Sequence, residues 1–296
     1  GKTVIKYVSE KAKNSPGKED AVPELPEVEN VKRKLAPRLA GRTILSAVVH
    51  KPVVAYPAEE RFLAAVQGRE IADTRRRGKF LILLFKDGGK IVVHLRMAGR
   101  LTVNAPQQPP QPHTHVVFYL SDGNELRFAD ARRFGRVWLI EKGEKDVYTG
   151  LEKLGLEPFD ERLTPAYLES AFARRRIAVK QALLEQTVVA GIGNIYADET
   201  LYDAKIRPDR SISSLSREEW QRIVESMRRV LAAAVIKRNA SAGPEYREEA
   251  KAYGAPFQLR AYGHENRPCG RCGEPIVRVR IGGRSSFFCP NCQRES

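Results

Sequence analysis

Apolar residues recur at Val28, Val31, Leu35 and Leu39, close to the 3.6-residue period of a helix. Pro26 falls in the expected first turn of that helix, where a missing N–H costs nothing. The period then shortens. "TILSAVVH" (43–50), "KFLILLF" (79–85), "KIVVHLR" (90–96), "HVVFYL" (115–120), "NELRFAD" (124–130) and "GRVWLIE" (135–141) predict strands, and "KDGG" and "SDGN" mark turns between them. This half reads as an antiparallel β-sandwich or barrel with a leading helix. Beyond about residue 150 the pattern turns helical, with short helices in "TPAYLESAFARR", "VKQALLEQTV" and "NIYADETLYDAK". A long helix is predicted over 216–238: Ser216 and Glu219 have capping-box spacing, and Trp220, Ile223, Val224, Met227, Val230 and Leu231 form its apolar stripe. Residues 239–257 lack a period and read as a long loop, and 263–296 form a compact cysteine module. The fold class is α+β, without internal repeats.

Composition sharpens this picture. The chain has 296 residues, 42% of them hydrophobic, enough for about two domains. Lysine and arginine outnumber aspartate and glutamate by 51 to 36, a net charge of +15 that favours an anionic polymer as partner; a plain solubility charge is the alternative. The basic clusters at 75–79, 131–136, 174–176 and 277–284 sit inside apolar patterns, not in a basic tail. No apolar run approaches the ~20 residues that span a bilayer, and the N-terminus has no signal-peptide core, so a cytoplasmic protein is expected. Nothing in the sequence calls for an obligate oligomer, and a monomer is expected.

All four cysteines lie within 269–292, as "CGRC", sixteen residues, then "CPNC". Two Cys-x-x-Cys knuckles at this spacing suit one tetrahedral zinc held by Cys269, Cys272, Cys289 and Cys292; paired disulfides or unmetallated thiols are the alternative. Four protein ligands leave no open position, so the metal is expected to be structural. The intervening "GEPIVRVRIGGRSSFF" predicts a β-hairpin turning at Gly282-Gly283, with Arg284 near its tip and available to a phosphate. In "AGIGNIYADE" (190–199), glycines before a helix start allow close backbone approach to a phosphate, with Asn194 adding an amide; a simple helix cap is the other reading. Lys79 opens a strand after Gly78 in "RRRGKFL", where an ordinary solvated lysine is also possible. In "HLRMAGR" and "DARRFGR", Met97 and Phe134 stand among cations. Taken singly they read as core; exposed, they would suit wedging into a base stack.

Together, "PELPEVE", "RRGKF", "HLRMAGR", "RRFG", "QTVVAGIGNIYADE" and the four-cysteine ribbon resemble the bacterial formamidopyrimidine-DNA glycosylase family, in the family's order from Pro23 almost to the end. The resemblance implies an N-terminal β-sandwich with flanking helices, then a helical domain with a helix–two-turn–helix element and a zinc ribbon. It implies excision of oxidised purines such as 8-oxoguanine and formamidopyrimidines from double-stranded DNA, with β,δ-elimination at the abasic site. Pro23 matches the family's N-terminal proline nucleophile and Glu24 its proton-shuttling carboxylate, with Glu27 in support. Lys79 matches the lysine that contacts phosphate and assists β-elimination, and Arg284 the hairpin arginine of δ-elimination. Asn194 matches the phosphate-binding asparagine. His113, Arg132 and Arg175 fall where DNA contacts are expected, and Met97, Arg132 and Phe134 match the void-filling wedge. The expected division is an extension over 1–22, a catalytic domain over 23–150, a helical DNA-binding domain over 151–262 carrying a lesion-side loop at 239–257, and the ribbon over 263–296.

Two departures stand out. Pro23 follows Val22, so its nitrogen is a tertiary amide without a basic lone pair. The functional form is therefore expected to begin at Pro23, for instance through a start at a GTG valine codon and removal of the initiator residue; a fused tag over 1–22 is the rival reading. With residues 1–22 in place, only non-catalytic DNA binding is expected. The second departure is the stretch 239–263, which is charged where the family usually carries a Gly-Gly-Ser/Thr-rich loop closing over the lesion. It leaves open the related endonuclease VIII-like preference for oxidised pyrimidines.

Overall fold

The structure is a computed structural model and describes residues 22–240 and 243–295. The expected extension lies outside the described residues except for Val22. The chain divides into two compact units, one ending at Lys153 and the other beginning at Leu154.

The first unit opens with helix α1 (Leu25–Leu39). Pro26 lies in its first turn, and the Glu27 carboxylate accepts the Glu24 backbone N–H at 3.0 Å, satisfying a donor that the helix itself leaves unpaired. Strands β1 (Ile44–Val49), β7 (Thr114–Leu120), β8 (Glu125–Ala129) and β6 (Arg100–Asn104) form one sheet in that order. Strands β2 (Ala55–Tyr56), β9 (Arg136–Ile140), β5 (Lys90–His94), β4 (Phe80–Phe85) and β3 (Ile71–Arg77) form the other. Val28, Leu35 and Leu39 of α1 join Leu81, Leu83, Val93, Phe118, Leu126 and Phe128 in one buried core. Helix α2 (Glu59–Val66) closes it, with Phe62 packed 6.1 Å from Phe118.

The pairing is antiparallel as expected, apart from the two-residue β2, which runs parallel to β9. The hydrophobic pattern does not reveal β3. It is an edge strand reading "IADTRRR", and edge strands carry charge that blunts further pairing.

The second unit contains α3 (Pro165–Phe172), α4 (Val179–Leu183), α5 (Asn194–Ala204), α6 (Arg217–Arg238) and α7 (Pro244–Lys251). In α6 the Ser216 hydroxyl accepts the Glu219 N–H at 3.2 Å, and the Glu219 carboxylate accepts the Ser216 N–H at 3.0 Å. All six residues of the expected stripe are buried. The 239–257 stretch is not simply a loop: α7 occupies its middle. Eight residues reading "PEYREEAK" are too short and too polar to show a period, and a single ring, the buried Tyr246, packs edge-on against Phe159 at 4.9 Å. The unit ends in the hairpin β10 (Val277–Ile281) and β11 (Arg284–Phe288). Its turn residues Gly282 and Gly283 have φ of +55° and +78°, the left-handed pair that a two-residue turn of this kind demands. A Cβ on Gly282 would also lie 2.6 Å from the Gln181 amide.

Candidate functional site

In the first unit, Pro23 sits two residues ahead of α1, half-buried, and Glu24 beside it is 1% exposed. The helix start thus places Pro23, whose nitrogen is a tertiary amide while Val22 precedes it, next in sequence to a buried carboxyl. Pro23, Glu27 and Met97 line one cavity of about 530 Å³ whose apolar wall includes Leu35 and Leu101. Lys79 occupies the β3–β4 turn, where Gly78 has φ of +54°. Close to it lies His94, whose place at the head of "HLRMAGR" carries no signal of a role by residue type alone. Its ring meets Phe80 edge-on at 4.6 Å, and its Nδ1 accepts the Arg96 N–H at 3.0 Å, which leaves Nε2 as the protonated nitrogen. Burial, then the Arg96 and Lys79 cations, pushes its pKa down to about 3. His94 is therefore a neutral donor in a cationic corner.

The wedge candidates are exposed to different degrees. Phe134 is 50% exposed, with the Arg132 guanidinium 5.6 Å over its ring, and Met97 is half-buried. A large apolar ring left in solvent beside cations is unlike a core residue. Buried Asp130 builds this turn by accepting the N–H groups of Arg132 at 3.0 Å and Gly135 at 2.7 Å. His113 is exposed with φ of +64°, and the sequence had no signal for Asp130.

In the second unit, Asn194 is the first residue of α5, and its amide donates to Ser285 O at 3.1 Å. Asp198, one turn on, accepts Ser286 Oγ at 2.8 Å and Phe287 N at 3.0 Å. Tyr202, one turn further, meets Cys269 Sγ through its hydroxyl at 3.1 Å. One face of α5 therefore grips the ribbon at three successive turns. Arg284, next to Ser285, stands exposed at the hairpin tip. Lys180 on α4 donates to Ser285 O at 2.7 Å and pairs with Asp198. Burial pushes the Asp198 carboxyl up to about 6 against the pull of that ammonium. Glu199 accepts the N–H groups of Arg260, Ala261 and Tyr262 at 2.8–3.1 Å, and burial pushes its carboxyl up to about 7. The sequence motif contained Asp198 and Glu199 without revealing these roles. Arg175 is exposed and pairs with Glu185 at 3.1 Å.

The four cysteine sulfurs lie within 4.8 Å of one another, with Cys269–Cys292 at 3.9 Å and Cys272–Cys289 at 3.5 Å. These separations are far beyond the roughly 2.05 Å of a disulfide. They bracket the edge of a thiolate tetrahedron built on Zn–S bonds of about 2.3 Å.

Three family models match the chain in order: the formamidopyrimidine-DNA glycosylase N-terminal domain over 22–137, the corresponding H2TH domain over 154–243, and the zinc finger found in FPG and IleRS over 267–294. The chain belongs to the formamidopyrimidine-DNA glycosylase family. The family member of Pelotomaculum thermopropionicum is 40% identical over 274 residues, covering 92% of this chain and 99% of that protein. That of Moorella thermoacetica is 45% identical over 260 residues, covering 88% and 95%. The Lactococcus lactis formamidopyrimidine-DNA glycosylase, solved non-covalently bound to DNA containing an AP site, superposes with a TM-score of 0.80 at 31% identity, covering 92% of this chain and all of that one. A MutM structure in complex with carbocyclic 8-oxo-G DNA gives 0.81 at 32%, with the same coverage. As in the family, the four-cysteine centre holds one structural zinc. No helix among the described residues is long and apolar enough to cross a membrane.

Proposed function

We propose that this chain, with its Pro23 nitrogen free, excises oxidised purines from double-stranded DNA as a bifunctional glycosylase and AP lyase. One observation carries the reading: the residue matching the family's nucleophile stands at the start of α1 beside a buried carboxyl and on the wall of a cavity it shares with Glu27 and Met97. The family match begins at residue 22, and relatives aligned over nearly their full length cover 92% of this chain, which supports a functional form beginning at Pro23.

A flipped-out nucleotide exposes C1′ of its sugar to attack. The Pro23 lone pair forms the N–C1′ bond while the bond to the base breaks, and the departing base takes up the proton that the nitrogen releases. Glu24 delivers a proton to the ring oxygen as the sugar opens, leaving an iminium. The iminium acidifies the C2′ proton, whose loss expels the 3′-phosphate with Lys79 assisting. Loss of the C4′ proton then expels the 5′-phosphate with Arg284 assisting, and hydrolysis returns the free amine. No step passes through the zinc, which holds the ribbon that carries Arg284. His94, Arg175, Asn194 and His113 contact the DNA backbone, with Met97, Arg132 and Phe134 filling the gap left by the base. The protein acts as a monomer, in the cytoplasm, on nucleoid DNA. The domain roles follow: catalysis in 23–150, DNA binding in 151–262, and the ribbon in 263–296.

Cleavage of 8-oxoguanine:C and thymine-glycol:A duplexes by the chain with a free Pro23 tests the assignment. Faster cutting of the first is expected; preference for the second would move the chain to the pyrimidine-directed branch.

A further inference from the structure

Arg76 lies in β3, two residues before Gly78 and three before Lys79. Its Nε donates to Glu29 Oε2 on α1 at 2.9 Å, and its NH1 donates to the Gly78 carbonyl at 3.1 Å. That carbonyl belongs to the peptide bond joining Gly78 to Lys79. The same planar guanidinium therefore ties the helix that begins beside Pro23 and Glu24 to the peptide plane from which Lys79 projects. The pair is deeply placed, with side-chain exposures of 8% for Arg76 and 4% for Glu29. The other Glu29 oxygen accepts Arg33 Nε at 2.6 Å and Lys32 Nζ at 3.3 Å, which fixes the carboxylate on its own helix. Burial acts to raise the Glu29 carboxyl, and the Arg76, Lys32 and Arg33 cations overcome it and hold the group below its ordinary value.

Stability alone does not call for this arrangement. Two buried charges lose hydration that their attraction only partly returns, and an apolar pair of similar volume commonly serves stability as well. An apolar pair cannot hold the Gly78 carbonyl. The Gly78–Lys79 turn is two residues long, so a rotation of its peptide plane displaces the lysine directly.

We propose that Glu29 and Arg76 are positioning residues that fix Lys79 relative to Pro23 and Glu24. This rests on the assignment of Pro23 and Lys79 made above. The pair touches no reacting atom; it sets the distance across which proton transfer and phosphate departure are coordinated.

The test uses the chain with a free Pro23, single-turnover cleavage of a preformed abasic duplex, and affinity for a non-cleavable abasic-analogue duplex. Arg76→Met is expected to slow cleavage about 10–100-fold, the scale of an ångström-sized misplacement, while Kd moves less than about threefold. Arg76→Lys keeps a cation for Glu29 but loses the two-pronged reach, and falls between. In a Lys79→Ala background, Arg76→Met is expected to add less than about a twofold loss, because the residue through which it acts is gone. Thermal unfolding identifies any variant that fails to fold, and Glu29→Gln and Arg76→Lys then carry the same comparison. Equal losses in both backgrounds, losses that track Kd, or no loss at all would overturn the proposal. If the parent chain itself forms no borohydride-trapped adduct, the site assignment fails and the positioning role fails with it. A trapping parent with unaffected variants overturns the positioning role alone.

Discussion

Lys180 Nζ and Asp198 Oδ1 lie 2.8 Å apart with neither side chain exposed to solvent. Both also reach β11, Lys180 through Ser285 O and Asp198 through Ser286 Oγ and Phe287 N. The pair therefore joins α4, α5 and the strand that begins with Arg284. Removing one partner strands the other charge in the interior. Asp198→Asn is expected to cost about 3–5 kcal/mol of stability in denaturant unfolding. A loss below about 1 kcal/mol would show that water reaches Lys180 and that the ribbon is docked by its apolar contacts.

The Tyr202 hydroxyl, 3.1 Å from Cys269 Sγ, is placed to donate to a zinc-bound thiolate, with the Arg271 guanidinium 4.3 Å over the same ring. Groups that hydrogen-bond metal ligands typically change metal affinity by about 10–100-fold. Tyr202→Phe is expected to release zinc to a chromophoric chelator about tenfold faster than the parent. An unchanged release rate would assign the hydroxyl to packing alone.

His94 gives a pH dependence of definite sign. Its folded pKa, about 3, lies below the ordinary 6.5, so the unfolded chain binds the extra proton between these values. Its contribution to stability is complete above pH 6.5 and is lost as the pH falls toward 3. His94→Gln is expected to flatten the unfolding curve over that window while leaving it unchanged above pH 7. The parent's rate profile is expected to show no ionisation of this histidine between pH 5 and 8. A histidine proton resonance from position 94 titrating near 6.5 would contradict both.

Much of this was readable from residue order because the signals are local. The α6 capping box depends on two residues three apart, and the ribbon turn depends on two adjacent glycines. The cysteine knuckles likewise declare themselves by spacing. What the sequence hid depends on contacts made at long range. Arg76 reads as one more arginine in a basic run until Glu29, 47 positions earlier, is found against it. Asp198 and Glu199 look like surface acids on a helix until β11 and residues 260–262 cover them. Phe134 reads as core by residue type, and only the turn built on Asp130 turns it outward. Helix α7 escaped because one buried tyrosine in eight residues makes no period.

The central claim is that the Pro23 nitrogen is the nucleophile, and Val22 acylates it in the full sequence. Borohydride reduction during reaction with an 8-oxoguanine duplex captures the iminium as a stable protein–DNA adduct. The chain beginning at Pro23 is expected to form that adduct, with proteolysis of the adduct placing the DNA on the N-terminal peptide, and the chain retaining residues 1–22 is expected to bind the duplex without forming it. An adduct on the longer chain with Gly1 intact, or cutting of the duplex without any adduct on the shorter one, would contradict the account.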